Sequence, residues 1–436
     1  MKNKKIYILI AIVLAFVVGY FLTLKLYPKN ASRYPFFIVL VLMNIYLCFK
    51  IKKRLNPKKK KRNKLIIITV LIPLIAISLA LCVAFFYPRV SWNNSFASGF
   101  FGVIFSSFSA ILLMALLLLF FDLLKLFFDA KLAFRNAVYY VENMVFSIGV
   151  ILFTILILGI FLWAHDFKVH RVEISITDLP ISLENYRIVQ LSDMHLGNWI
   201  EKHSFERAID TVLDLHPDMI VFTGDLVDFR TEEALVFESF LKRLEAKDGI
   251  YVVLGNHDYG DYVKWKTQQE KQQNFDALCD FYNRIGWRLL RNEHIRIDRE
   301  GAAIGLIGVE NWSRKSRFPS YGDLAKATEN MDTFAVEILL SHDPSLWETE
   351  VIKMYPDIDL TLSGHTHGFQ FGIESKNGSF KWSPSQYLYP RWAGYYENDS
   401  TAQVLYVNRG LGVIAFPGRI GIKPEITFIQ LKNKIQ

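Results

Sequence analysis

An apolar run, Ile358-Asp359-Leu360-Thr361-Leu362, breaks at Ser363-Gly364-His365-Thr366-His367-Gly368. The run reads as a buried strand. In an extended segment the i, i+2 spacing of His365 and His367 puts both imidazoles on one side of the chain. Two histidines aimed at one place suit a metal, because neutral imidazole is the commonest protein ligand. Four upstream segments repeat the arrangement of a strand followed by a polar cluster. Residues 187–191 end at Ser192-Asp193-Met194-His195, 219–222 at Thr223-Gly224-Asp225, 250–254 at Gly255-Asn256-His257-Asp258, and 334–340 at Ser341-His342-Asp343-Pro344. In open α/β sheets, ligands gather outside the carboxyl ends of the strands. The five clusters are therefore expected on one rim although they span 175 residues of sequence.

Between these strands lie helical patterns over residues 203–215, 232–244 and 265–285. The resulting βαβαβ order argues for a largely parallel, covered sheet. Closely spaced strands then follow at 288–290, 295–298 and 303–309, which predicts a second, more antiparallel sheet. Late strands are expected at 403–407 and 425–431, after a loop rich in Trp and Tyr at 380–396. The fold class is α/β: two packed sheets with helices on both outer faces, a four-layer αββα sandwich.

Each cluster alone is an ordinary turn, cap or polar surface; the joint pattern is what is specific. With His257 held back, the donors are two carboxylates (Asp193, Asp225), one amide oxygen (Asn256) and four imidazoles (His195, His342, His365, His367). Seven donors exceed what one tetrahedral metal uses. Shared between two metals with one bridging carboxylate, they give four ligands each, as in two-metal sites for phosphoryl displacement. The remaining histidines, His165, His170, His203, His216 and His294, lack such context and are assigned to surface or packing.

Asp193-x-His195, Gly224-Asp225, Gly255-Asn256-His257-Asp258, His342 and Gly364-His365-Thr366-His367 together resemble the calcineurin-like metallophosphoesterases over about residues 170–432. The tail, Tyr406 to Gly412 and Arg419 to Thr427, is similar to the membrane-anchored bacterial YkuE-type branch. The resemblance implies that Asp193, His195 and His367 hold one metal, that Asn256, His342 and His365 hold the other, and that Asp225 bridges them. It implies that His257 faces the phosphoryl oxygen or the leaving group as the catalytic residue, oriented by its neighbour Asp258. The family usually shows two glycines after the dihistidine; here Gly368 is followed by Phe369, a departure on the substrate side.

The first 165 residues are of another kind. Five apolar runs occupy 6–24, 34–49, 65–87, 100–121 and 144–163. A helical span needs about 20 apolar residues; the run 34–49 is short and carries Asn44. The chain is read as an all-α multi-span membrane domain over 1–165, of about five helices, and a metallophosphoesterase-like domain over 166–436. The formal net charge of +8 conceals an asymmetry: residues 1–64 hold 16 Lys/Arg and no acid, leaving 34 Lys/Arg against 42 Asp/Glu in the remainder. The basic excess is thus no nucleic-acid footprint on the globular part, and no nucleic-acid partner is expected. Ten of the 16 fall between Lys50 and Lys64, and short basic loops stay cytoplasmic. Three crossings later, the globular domain is expected outside a bacterial inner membrane. Three cysteines, at 48, 82 and 279, provide neither a disulfide framework nor a zinc site.

The expected activity is hydrolysis of a phosphomonoester or phosphodiester with two divalent ions. The mixed O/N donors suit Mn, Fe, Zn or Co. Proximity to the bilayer favours a lipid or cell-envelope substrate. Two alternatives are a pyrophosphatase on a nucleotide-linked lipid precursor such as UDP-diacylglucosamine, and a non-catalytic membrane scaffold.

Overall fold

The computed structural model describes residues 14, 16–26, 34–53, 95–124, 132–316, 318, 320–375 and 380–434. They fall into two compact units. One draws on the first 92 residues with Phe100–Ile157, the other on Asn93–Gly99 with Leu158 onward.

The first unit contains the helix Tyr34–Lys52 and most of the helices Ser95–Leu124 and Leu132–Phe161. Ser98–Leu124 and Tyr140–His165 are long and apolar enough to cross a membrane; Phe16–Leu26 is apolar but shorter. Of the five expected spans, two are therefore matched by such helices among the described residues. The run 65–87, nearly half of the run 6–24 and the basic stretch beyond Lys53 lie outside those residues. Lys50, counted above with the basic loop, lies within the helix Tyr34–Lys52. It is buried, with its ammonium 2.6 Å from the Asp122 carboxylate and 3.0 Å from Glu142. Its acidic partners come from helices 72 and 92 residues later, so nothing local in the sequence signals the pairing.

The second unit is built on two six-stranded sheets. We number the strands β1 Lys168–Ile176, β2 Arg187–Leu191, β3 Met219–Phe222, β4 Ile250–Val252, β5 Arg288–Leu289, β6 Glu293–Arg299, β7 Ala302–Gly308, β8 Val336–Leu340, β9 Leu360–Ser363, β10 Ile373–Glu374, β11 Lys381–Trp382, β12 Gly394–Glu397, β13 Val404–Val407 and β14 Glu425–Asn433. The first sheet runs β1-β14-β2-β3-β4-β5, parallel from β2 to β5. The last strand, β14, is inserted between β1 and β2.

The second sheet runs β12-β13-β9-β8-β7-β6. The expectation of a more antiparallel sheet holds only at its edges, with two of five pairs antiparallel against one of five in the first sheet. The four central strands β13, β9, β8 and β7 are parallel, and only the edge pairs are antiparallel. The two-residue turn Glu300-Gly301, both residues at positive φ, closes the β6–β7 hairpin that the spacing revealed. The later strands return through long crossovers, which set parallel neighbours.

Apolar side chains from both sheets meet in one inner layer: Ile188 and Val221 from the first, Ile338 and Leu362 from the second. Each is wholly buried, and burial of such a side chain stabilises by about 1.5–3 kcal/mol. The outer face of the first sheet is covered by the helices Lys202–Asp214 and Gln268–Arg284, through Phe205, Ile209, Leu278 and Phe281. Thr267 caps the second of these by accepting from the amide of Glu270. The expected helix 232–244 is two short pieces, Glu232–Leu235 and Glu238–Leu241. Short helical segments cover the second sheet through Leu324, Leu346 and Trp347. The layers are thus αββα.

Candidate metal centre

Every predicted site residue lies within five residues of the carboxyl end of a strand. Asp193 and His195 follow β2, Asp225 follows β3, Asn256 and His257 follow β4, His342 follows β8, and His365 and His367 follow β9. Packing the two sheets face to face brings these ends to one rim. Gln190 Nε2 donates to Ser363 O across the sheets at 2.9 Å, and Asn408 N donates to the same carbonyl at 2.8 Å. Gly364 is required by this closeness: a Cβ there would lie 1.9 Å from Ser192 Oγ and 2.3 Å from Asp193 Oδ2.

The structure brings the donors together in two groups. Asp193, His195 and His367 form one; Asp225, His342 and His365 form the other, with the ligand atoms of each group within 4.8 Å of one another. In the first, His195 Nε2 and His367 Nε2 are 3.0 Å apart, and His367 Nε2 lies 3.2 Å from Asp193 Oδ1. In the second, His365 Nδ1 and His342 Nε2 are 3.2 Å apart, and His342 Nε2 lies 3.1 Å from Asp225 Oδ2. That same Asp225 oxygen is 3.6 Å from His195 Nε2, so one carboxylate stands between the groups. Its other oxygen accepts from the His257 amide at 2.8 Å.

Five of these residues adopt left-handed backbone: Asp193 (φ 49°), His195 (43°), Asp225 (60°), His365 (70°) and His367 (51°). Such conformations cost on the order of 1–3 kcal/mol each in a residue with a side chain, and they cluster at functional sites. The sharp turns aim consecutive donors inward, where a relaxed strand end would send alternate side chains apart.

Partners fix the ring orientations. His342 Nδ1–H donates to Thr223 O at 2.7 Å, which leaves Nε2 for the centre. His365 is turned the other way: its Nε2 meets the Tyr389 hydroxyl at 2.7 Å and its Nδ1 faces the centre. His195 Nδ1 lies 3.2 Å from Asp228 Oδ1 without hydrogen-bond alignment. Such outer partners orient ligands and raise their basicity. His257 donates through Nδ1 to Asp228 O at 2.7 Å. Its expected orienter, Asp258, does something else. Asp258 accepts from the amides of Asp225, Leu226 and Gly255 at 2.8–2.9 Å and so clamps two turns together. The carboxylate of Asp258 is saturated by backbone, so the neighbouring ring turns to a main-chain carbonyl.

The electrostatics favour cations. Burial raises the Asp225 carboxyl, but His342, His257 and His195 outweigh it and hold it well below the usual range. Asp193 is likewise held down, burial being overcome chiefly by His367. Burial lowers His195, His365 and His367, the last two to about 4, which keeps them neutral as ligands must be. His342 is the exception: Asp225 more than offsets its burial and lifts it to about 10, so the ring holds a proton where a cation would sit.

Asn256 tests whether a metal fits. Its Nδ2 donates to the Tyr262 hydroxyl at 2.8 Å, yet its Oδ1 is buried with no hydrogen-bond partner among the described residues. A buried carbonyl oxygen left open beside three imidazoles and a carboxylate suits a hard or borderline cation.

The centre opens into a cleft of about 180 Å³, lined by Asn256, His257, Phe369, Leu388, Tyr389 and Ile414 among others. Phe369 keeps φ 57°, the conformation a glycine would take without strain, and presents a half-exposed ring at the mouth. Asp228 and Tyr389 escaped the sequence reading. The first could have been found as a second acid in the turn Gly224-Asp225-Leu226-Val227-Asp228; the second had no signal beyond the aromatic loop that carries it.

Comparison with known proteins agrees with this geometry. Residues 186–369 match the model of the calcineurin-like phosphoesterase family. The chain is 31% identical over 281 residues to the uncharacterized metallophosphoesterase YkuE of Bacillus subtilis, covering 63% of this chain and 88% of that protein. It is 32% identical over 287 residues to a protein of Danio rerio called transmembrane protein with metallophosphoesterase domain, covering 64% of this chain and 60% of that one. A Bos taurus protein of the same name is 32% identical over 287 residues, covering 63% of this chain and 60% of it. The match thus spans about 60% of the length of these last two relatives. With its strand-end donors gathered at one rim and its match to a relative along most of that relative's length, the chain belongs to the calcineurin-like metallophosphoesterases.

Proposed function

We propose that the chain is a membrane-anchored phosphoesterase that uses two divalent ions, Mn, Fe, Zn or Co, to hydrolyse a phosphomonoester or phosphodiester of the lipid or cell-envelope class. The observation that carries the reading is Asp225 Oδ2, within reach of a histidine from each donor group. Asp193, His195 and His367 would hold one ion, Asn256, His342 and His365 the other, with Asp225 shared. Bound there, the ions supply Lewis-acid charge and acidified water near neutral pH. His257 commits Nδ1–H to Asp228 O and lines the cleft, so Nε2 is the atom that exchanges a proton with the leaving group. Phe369, Leu388 and Ile414 give one side of the cleft an apolar lining.

Chelator-stripped protein should lose hydrolysis of a generic aryl phosphodiester and recover it with Mn²⁺ or Zn²⁺. Equal rates for stripped and reloaded protein would refute a metal-dependent mechanism.

The reading puts the domain on the extracytoplasmic side, which the basic stretch 50–64 and the three apolar runs after it support. Lys50 is consistent with this: from the last turn of its helix it pairs with Asp122, in the last turn of Ser95–Leu124, so those two helix ends lie at one level. A Ser400→Cys variant lacking native cysteines should react with an impermeant thiol reagent on intact spheroplasts. Labelling only after lysis would put the site in the cytoplasm and favour the nucleotide-linked precursor.

A further inference from the structure

The hairpin β10–β11 carries its polar face inward. It pairs Ile373 with Trp382 and Glu374 with Lys381. Strand alternation puts Phe371, Ile373, Phe380 and Trp382 on one face, Glu374 and Lys381 on the other. The charged face is the inner one. Glu374 lies 2.8 Å from Arg409, and the Lys381 ammonium sits over the rings of Tyr396 and Trp392. The apolar face is open, with Phe371 44%, Ile373 62% and Phe380 55% exposed. An antiparallel pair with one face in water puts its polar residues on that face. A contiguous outward apolar face marks an interaction surface.

What the hairpin is stitched to decides what covers this face. Gly372 N donates to Ile420 O at 2.9 Å and Ile420 N to Gln370 O at 2.7 Å, a bridge beside Phe371. One residue earlier, Arg419 N donates to Gly159 O at 3.1 Å. Gly159 is packed so closely here that a Cβ would meet Arg419 O at 2.9 Å and Ile420 Cγ1 at 3.2 Å. It lies in the last turn of Leu132–Phe161, inside the apolar stretch Tyr140–His165. The hairpin therefore leaves the domain on the order of 10 Å, two strand spacings, from the end of that helix.

We propose that the apolar face of β10–β11 docks on the lipid bilayer that holds this helix, so that the metal cleft opens at the membrane–water boundary. This deepens the function proposed above and rests on it for the helix being a span. The apolar surface continues into the cleft: Phe369, two residues before Phe371, and Leu388 line it with His365 and His367. The substrate class that follows is an amphiphile whose phosphoester sits at headgroup level while its chains stay in the bilayer.

The test uses full-length protein without its three native cysteines, in vesicles of phosphatidylethanolamine and phosphatidylglycerol. Ile373→Cys and, separately, Phe380→Cys carry an environment-sensitive fluorophore. Glu329→Cys, which precedes β8 and so lies toward the opposite rim, is the reference. The expected result is blue-shifted emission quenched by headgroup-level nitroxide lipid at 373 and 380, and neither effect at 329. If 373 and 380 behave like 329 while the chain floats with the vesicles, the docking is wrong and the anchor stands. If the chain does not float with the vesicles, the anchor is wrong and the docking falls with it.

Discussion

The sheet built on β2, β3 and β4 brings two carboxylates, an amide oxygen and one imidazole donor to the rim, whereas the sheet built on β8 and β9 brings three imidazoles alone. Each donor group mixes the two: Asp193 and His195 with His367, and Asp225 with His342 and His365. The first sheet provides negative charge with too few donors around either position. The second provides neutral donors with no charge to hold a divalent ion. The inner core of Ile188, Val221, Ile338 and Leu362 is therefore part of the site, because its packing sets the spacing between charge and imidazole.

The comparison predicts a graded set of losses. The largest follows from Asp225→Asn, since that carboxylate faces histidines of both groups. Turnover of an aryl phosphodiester should fall further than in Asp193→Asn, and an equal or smaller fall would dissolve the distinction between a shared and a one-sided ligand. His257→Ala should slow turnover by about 10²–10⁴, the usual size of an acid–base contribution, while bound metal measured by elemental analysis stays unchanged. Metal loss in that variant would make His257 a ligand. Tyr389→Phe acts on the second sheet alone, by removing the hydroxyl that holds His365 Nε2. A loss of about 10–100-fold in metal affinity or rate is expected, as for other outer partners of a ligand.

The place of all seven candidate donors after strand ends was legible, because a strand followed by a polar cluster is a local pattern. The left-handed turns that aim Asp193 and His365 were not, since nothing short of the packed sheets imposes them. Nor were the partners of the rings. Thr223 O and Asp228 O are main-chain atoms without a side-chain signature, and Tyr389 arrives from beyond the dihistidine. The parallel centre of the second sheet was hidden for a like reason. Spacing reports a hairpin such as β6–β7, whereas the pairings β8–β9 and β9–β13 are set by crossovers.

A smaller effect separates the site from its support. Arg409 and Glu425, both buried, pair at 2.5 Å behind the first donor group. Burial alone would raise Glu425, but Arg409 more than offsets this and holds it at about 2, against an ordinary value of 4.5. A depressed carboxyl adds stability that is complete above its unfolded value and is lost as pH falls through its folded one. Thermal stability should thus drop between about pH 4.5 and pH 2. The slope should be shallower in Glu425→Gln, and an unchanged slope would remove this pair from the account.

The most direct measurement is metal content per chain in wild type, Asp193→Asn and Asp225→Asn, purified alike and loaded with Mn²⁺. The account predicts two ions in the wild type, about one in Asp193→Asn and fewest in Asp225→Asn. A single ion in the wild type, or an Asp225→Asn protein that holds as much metal as Asp193→Asn, would contradict a centre shared through Asp225.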